Sequence, residues 1–216
     1  MKRQVTQALI LDRHKVNNDI IIHALAPGQG RFSAVARHAR RSRKRFGGHL
    51  ESLSLVELTY RMRPDWELAR LDEAKLVGAF SVLKADLLRV ALASVMAEVV
   101  LGFTRLGATD DELYGLTLRA FQTLDDPQRD MDESLLALFE LRVLQFSGFL
   151  PPLAELFGAE NAALEHCERW LEGLWRPMDW ELAEATSRRF EAIIEEHLGR
   201  PLRARALLDE ALAWAR

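Results

Sequence analysis

The sequence has one cysteine, Cys167, in 216 residues. A lone thiol can neither close an internal disulfide nor supply a cluster of thiolate ligands for zinc, so we expect a protein of a reducing cytoplasm. Long apolar runs are also missing: no stretch of about 18 consecutive apolar residues occurs, and no apolar signal segment follows Met1. We therefore expect neither secretion nor a membrane-spanning helix.

Signatures of catalysis are sparse as well. The six histidines are scattered, and none forms a metal-binding pair one helical turn apart. No glycine-rich loop of the Walker type is present, so nothing predicts nucleotide hydrolysis. Three acidic pairs look like helix starts, caps or exposed faces: Asp110-Asp111, Asp125-Asp126 and Glu195-Glu196. We expect no catalytic residue, no metal and no cofactor.

Positive charge is concentrated at one end of the chain. The net charge is −3, yet residues 1–45 hold eleven Lys and Arg against two acidic residues, a balance of +9, and the remainder carries −12. Such a local field suits a polyanion. Residues 37–45 are the densest basic stretch, and no acidic residue follows until Glu51. Phosphate contacts there would make binding salt-dependent; a solvated loop without a specific partner is the alternative.

The first third of the sequence is typical of β structure. Strands are predicted over residues 4–11, 19–25, 31–37, 50–60 and 66–71. In the first strand Val5, Leu9 and Leu11 share one parity, and in the third Phe32 and Ala34 alternate with polar neighbours. An Asn-Asn-Asp sequence between the first two strands suits a hairpin turn. Five short strands in so few residues favour a small closed barrel, because closure removes exposed edges.

From about residue 79 the hydrophobic period becomes helical. Apolar pairs recur at three- to four-residue spacing over residues 82–100, which predicts a long helix. Further helices are predicted over residues 110–124, 132–147, 161–174, 179–198 and 202–214. No low-complexity linker separates the two parts. We predict an α+β protein with an OB-like barrel at 1–78 packed against an all-helical domain at 79–216.

Aromatic residues near the cations would favour single-stranded nucleic acid, because bases stack on rings while Lys and Arg hold the backbone. The candidates are Phe32, Phe46 and Tyr60. Phe32 and Tyr60 are equally well explained as core residues of a small barrel. Arg61 and Arg63 either extend the positive face or are solvated loop charges.

The order of these segments resembles RecO proteins. The resemblance lies in residues 8–11, 19–21 and 30–43, with residues 53–58 as the strand that follows the basic loop. Near the C-terminus, residues 196–208 resemble the helix-turn-helix signature of the family, with its paired basic residues. The two ends of the chain are covered well, and the middle is covered by helical character.

The resemblance implies an OB-fold domain, a helical domain and a non-catalytic role in the RecF pathway of DNA repair. Such proteins bind single- and double-stranded DNA, anneal complementary strands, contact the acidic C-terminal tail of single-stranded DNA-binding protein, and work with RecR to load RecA. A bacterial, cytoplasmic, nucleoid-associated protein is implied. The implied DNA-binding positions are Arg37, Arg40, Arg41, Arg43, Lys44 and Arg45, with Arg203 and Arg205 as a second set. Helix capping and salt bridging are the alternative for that second set.

One departure from the family concerns zinc. Many RecO proteins carry a four-cysteine zinc site between helical segments, and here residues 150–180 contain only Cys167. We therefore expect no zinc, and we expect Trp170, Trp175 and Trp180 to hold this region with their apolar neighbours.

Two other classes of protein stay open at this point. One is an OB-fold RNA-binding protein, and the other is a non-catalytic interaction adaptor whose basic loop binds an acidic partner. Annealing of complementary DNA strands separates both from a recombination mediator.

Overall fold

The computed structural model describes residues 2–39, 42–47, 49–63, 65–129 and 131–215. Its strands are β1 (Gln4–Val16), β2 (Asp19–Ala26), β3 (Gly30–Ala36), β4 (Ser54–Arg61) and β5 (Ala69–Gly78). They form a closed barrel in the order β1-β2-β3-β5-β4, with β4 pairing back onto β1. Neighbours are antiparallel except β3 and β5, which run parallel. The predicted OB-like barrel is confirmed.

The hairpin of β1 and β2 is longer than predicted. Strand β1 continues to Val16, so the turn consists only of Asn17 and Asn18. Asn17 has a φ of 55°, in the left-handed region that asparagine tolerates better than most residues. The polar end of β1 does not look like a strand by itself; it is held by pairing with β2, from Asp12 opposite His23 onward.

Strand β1 is buried on both of its sides in its middle part. Ala8 and Ile10 belong to the barrel core, whereas Val5 is 60% exposed. Leu9 and Leu11 are buried as well, outside that core. A strand buried on both sides shows a continuous apolar run, so parity along it could not identify the inward face.

Strand β3 follows its predicted alternation. Ala34 and Ala36 lie in the barrel core, and the half-buried ring of Phe32 packs against it. Phe46 and Leu50, from the connection between β3 and β4, complete this core with 2% and 1% exposure. The side of β3 that carries the polar residues is therefore the outer side of the barrel.

The helices of the described residues are α1 (Arg43–Phe46), α2 (Ser81–Ala85), α3 (Leu87–Phe103), α4 (Asp111–Leu124), α5 (Glu133–Phe146), α6 (Leu153–Phe157), α7 (Ala162–Leu171), α8 (Trp180–Leu198) and α9 (Ala204–Ala215). Helices α5, α7 and α8 begin after Asp132, Asn161 and Asp179, whose side chains accept backbone N–H groups of the first turn. The long helix predicted over 82–100 is two helices, because Asp86 accepts the N–H of Arg89 and begins α3. Among the described residues, no helix has both the length and the apolar character needed to cross a membrane.

The chain forms two compact units. The barrel unit consists of Met1–Ser81 and Thr104–Gln122, and the helical unit consists of Val82–Phe103 and Thr123–Arg216. Residues 104–122 belong to the barrel unit although they lie beyond the predicted barrel segment 1–78. Within the helical unit, α3 packs against α5 and α9, and α5 packs against α7 and α8.

Residues 104–111, which we call the strap segment, are bound to the turn between β2 and β3. The N–H of Gly107 donates to the carbonyl of Arg31 at 2.9 Å, and the N–H of Gly28 donates to Asp111 Oδ1 at 2.7 Å. Gly30 has a φ of 67°, and a Cβ atom there would lie 1.6 Å from the carbonyl oxygen of Ala108. Only glycine permits this approach of the two backbones.

Candidate nucleic-acid interface

Residues 37–46, which we call the basic loop, join β3 to the end of α1. Arg40 and Arg41 lie outside the described residues, and the side chains of Arg43 and Lys44 lie outside them as well. These four remain sequence predictions. Arg37 and Arg45 are described, and both are exposed.

Apolar side chains fix the basic loop to the barrel at both ends. Ala39 is 9% exposed near its start, and Phe46 is 2% exposed at its end. Both belong to the barrel core. Gly47 then ends α1 in the left-handed conformation, with a φ of 49°. The basic loop is therefore anchored in the barrel core near both of its ends.

Arg45 crosses back over the basic loop. Its Nε donates to Ser42 Oγ at 2.9 Å, and one terminal nitrogen donates to the carbonyl of Arg37 at 3.0 Å. Its guanidinium also lies 5.0 Å from the centre of the Phe46 ring. None of these partners is anionic, so Arg45 shapes the loop and keeps its positive charge.

One carboxylate lies beside the start of the basic loop. Asp19 Oδ1 accepts the backbone N–H of His38 at 2.8 Å. Within the described part of the chain, neither Arg37 nor Arg45 forms an ion pair with an acidic side chain. The described half of the loop is thus cationic and open to solvent.

The three candidate stacking rings differ in exposure. Phe46 and Tyr60 are core residues with 2% and 3% exposure, which leaves little ring surface for a base. Phe32 is half-buried, and its ring is stacked on Tyr60 with the centroids 5.5 Å apart. The Tyr60 hydroxyl donates to Gln29 Oε1 at 2.5 Å, while burial raises the pKa of this phenol.

The two further arginines of β4 and its following loop are not equivalent. Arg61 is paired with Asp72 at 2.5 Å, and Arg3 approaches the same carboxylate at 3.2 Å. Arg63 is exposed, with its Nε 3.5 Å from Asp65 and its guanidinium 5.6 Å from the Trp66 ring centre. Each of these arginines therefore has an acidic neighbour, and that of Arg61 is the closer one.

The prediction of DNA contact at Arg205 is contradicted by its burial. This side chain is 5% exposed and is paired with Glu133 at 2.8 Å, Asp209 at 3.0 Å and Glu191 at 3.6 Å. Salt bridging, the alternative interpretation, is what the structure shows. Arg203, two residues earlier, is exposed just before α9.

Glu133, Glu140, Ser187, Glu191 and Arg205 form what we call the buried charge cluster. Glu140 is fully buried and accepts the Ser187 hydroxyl at 2.9 Å. Burial raises its pKa well above that of an ordinary glutamate, and it also raises the pKa values of Glu133 and Glu191. Burial alone would lower the pKa of Arg205, but the surrounding carboxylates, Glu133 foremost, raise it. This arginine serves the helical unit as a counter-charge.

Comparison with known proteins supports the order of the segments. The family model "Recombination protein O N terminal" matches residues 1–80, and "Recombination protein O C terminal" matches residues 84–161. The DNA repair protein RecO of Anaeromyxobacter sp. (strain K) is 32% identical over 232 aligned residues, which cover 89% of this chain and 90% of that protein. The chain belongs to the RecO family.

Alignments with two further RecO relatives cover less of the relative's length. The DNA repair protein RecO of Syntrophobacter fumaroxidans is 32% identical, and the alignment covers 79% of this chain and 66% of that protein. The DNA repair protein RecO of Desulfatibacillum aliphaticivorans is 34% identical, and the alignment covers 68% of this chain and 58% of that protein. The N-terminal RecO model ends at residue 80, two residues after the last barrel strand.

The region where many RecO proteins carry zinc is held here by packing. Trp170 is 1% exposed and is stacked on Trp175 at 5.3 Å, and its Nε1 donates to the carbonyl of Arg176 at 2.9 Å. Trp180, which was expected to contribute to this packing, is 53% exposed. Burial, with a smaller effect from Glu168, raises the pKa of Cys167 to about 12, so this thiol is unreactive. Among the described residues, no three His, Cys, Asp or Glu side chains are placed to hold a metal ion.

Proposed function

We propose that this RecO-family chain is a non-catalytic recombination mediator that binds single- and double-stranded DNA through the basic loop. Its phosphate contacts are Arg37, Arg40, Arg41, Arg43, Lys44 and Arg45. In this proposal it anneals complementary strands, contacts the acidic tail of single-stranded DNA-binding protein, and works with RecR so that RecA is loaded. Its place is the bacterial cytoplasm, at the nucleoid. Arg203 is a weaker second contact, and Arg205 is excluded by its burial.

The observation that carries the proposal is the exposed, unneutralised charge of Arg37 and Arg45 on a loop whose ends are buried in the barrel core. Two complementary strands repel each other through their phosphates. A fixed cationic surface offsets this repulsion and raises the local concentration of both strands, so pairing is accelerated without covalent chemistry. Phosphate contacts carry no base information, which suits a protein that must act on any sequence.

Replacing Arg40, Arg41 and Arg43 together by Ala tests the loop. We expect weaker binding to oligonucleotides of every sequence and a salt dependence flatter by about two units of slope, since each phosphate contact on single strands contributes about 0.7. Strand annealing, measured over a salt titration with and without single-stranded DNA-binding protein, should slow in parallel.

A matched control removes the same charge from the helical unit. Arg129, Arg169 and Arg176 are all exposed, and their joint replacement by Ala should leave the slope and the annealing rate nearly unchanged. Equal losses in the two triple variants would show that only net charge matters and would remove the basic loop from the mechanism. Binding confined to RNA would favour the RNA-binding alternative.

A further inference from the structure

A cavity of about 570 Å³ opens at the end of the barrel opposite the basic loop. It lies entirely within the barrel unit, where β3 and β5 begin and β4 ends, and the strap segment forms part of its wall. Its volume falls in the range of about 300–1,000 Å³ that is usual for small-molecule sites.

The wall of the cavity presents a flat aromatic surface. The Phe32 ring is half-buried and is stacked against Tyr60, and both residues line the cavity. Two exposed apolar side chains lie at the rim, Met62 with 43% and Leu106 with 60% exposure. A planar ligand stacked on Phe32 would cover apolar surface that now faces water.

Polar groups of the cavity suit the edge of a base. Gln4 and Gln29 both line it. Gln29 Oε1 accepts the Tyr60 hydroxyl, and the amide of Gln29 has two N–H groups that can donate to a ligand. Carbonyl oxygens on the exposed edge of an unpaired base are acceptors for such donors.

The charged groups at the rim are of both signs. Arg63 lies there with its Nε 3.5 Å from Asp65, and Arg31 lies deeper, with its guanidinium donating to the carbonyl of Thr104 at 3.2 Å. Glu67 lines the same cavity, so the arginines are not in excess of the carboxylates. The aromatic wall and the amide donors are the features that match an unpaired base better than an apolar peptide.

We propose that this cavity binds an unpaired base of the same single strand whose phosphates the basic loop holds, with the base stacked on Phe32. The site adds base stacking to a surface that otherwise grips only the backbone. This inference rests on the proposed function, because both sites act on one DNA strand.

Two oligonucleotides of equal length test the site, one of thymidines and one of abasic residues with the same phosphates. The wild-type protein should bind the thymidine strand about 5- to 150-fold more tightly, the range that stacking of one base gives. Phe32→Leu keeps an apolar side chain in the barrel and should bring this ratio close to one, with the affinity for the abasic strand unchanged.

A second pair of variants avoids the barrel core. Met62→Asp places a negative charge at the rim, and Val77→Asp adds the same charge at an exposed site of β5 that does not line the cavity. Met62→Asp should weaken thymidine-strand binding at least about fivefold more than Val77→Asp. Equal effects of the two, or an unchanged ratio in a folded Phe32→Leu protein, would overturn the proposal.

The triple variant of the basic loop separates failure of the cavity proposal from failure of the proposed function. Loss of Arg40, Arg41 and Arg43 should weaken binding of the thymidine and abasic strands alike. If the loop variant behaves so and the Phe32→Leu ratio stays high, the cavity is not a base site and the mediator function stands. If neither strand depends on the loop, the mediator function itself fails.

Discussion

Arg45 of the barrel unit and Arg205 of the helical unit are held in opposite ways. In the helical unit Arg205 is surrounded by carboxylates, and the buried Arg89 donates to three backbone carbonyls, each at 2.7 Å. In the barrel unit Arg45 bonds only to neutral groups and stays at the surface. An arginine is available to a polyanion only where the groups around it leave its charge uncompensated, and that depends on the fold rather than on basic composition.

The units also differ in how they tie distant segments together. The helical unit relies on buried side-chain charge, with Arg205 joining α9 to α5 through Glu133. The barrel unit relies on backbone contact, with Gly30 allowing the strap segment to approach β3. Three variants of decreasing expected effect test this difference.

Arg205→Met should have the largest effect. Removing the counter-charge leaves buried carboxylates uncompensated, so the free energy of unfolding should fall by about 3–5 kcal/mol in urea titrations. DNA binding by the protein that remains folded should not change. Arg203→Met, at the exposed neighbouring position, is the control and should stay within about 0.5 kcal/mol of wild type. Loss of DNA binding by a stable Arg205→Met protein would contradict the assignment of this arginine to packing.

Gly30→Ala should have an intermediate effect, confined to the barrel unit. The added Cβ meets the backbone of Ala108, and a positive φ is unfavourable for alanine, so we expect a loss of about 2 kcal/mol or more. Hydrogen exchange should show faster opening of β3 and of the strap segment, with the buried charge cluster still protected. Gly28→Ala is a useful comparison, because a Cβ at that positive-φ glycine meets nothing within 4 Å. Equal losses of stability in the two variants would mean that the positive φ alone, and not the close approach of Gly30 to Ala108, makes glycine necessary at position 30.

Glu140→Gln should have the smallest effect, and it should depend on pH. Burial raises the pKa of Glu140 in the folded protein, so the folded state favours the protonated carboxyl group. The stability that this protonated group contributes is complete below the ordinary glutamate pKa of about 4.3, and it is lost as pH rises through the raised pKa. The amide keeps the bond with Ser187 but does not titrate. The variant should therefore be more stable than wild type at pH 8, by on the order of 1 kcal/mol, and nearly equal to it at pH 4. Glu196→Gln, at an exposed position, should show no such trend.

Much of the fold was predictable because its determinants are local. The alternation in β3, the Asn-Asn turn and the capping side chains at Asp132 and Asp179 act within a few residues of each other. Helices α1 and α6 were missed because four- and five-residue helices leave no periodic pattern. The return of the strap segment to the barrel was missed because it depends on a contact between Gly30 and a residue 78 positions later.

The candidate site was predictable in its charge and not in its geometry. A run of cations identifies a basic loop at once, but a sequence does not show that Phe46 is buried beneath it or that Arg45 folds back on Arg37. Arg205 was misassigned for the same reason, because its partner Glu133 is 72 residues away along the chain. The half-buried state of Phe32 likewise depends on a distant residue, Tyr60, against which its ring is stacked.

Strand β3 sets a distance between the two DNA sites that we propose. Phe32 at the cavity and Arg37 at the start of the basic loop are five residues apart along the strand, so the sites are about 16 Å apart at roughly 3.3 Å per residue. A stacked strand advances about 3.4 Å per nucleotide, so about five nucleotides span that separation. A tetranucleotide therefore reaches one site or the other, and only longer single strands gain from both.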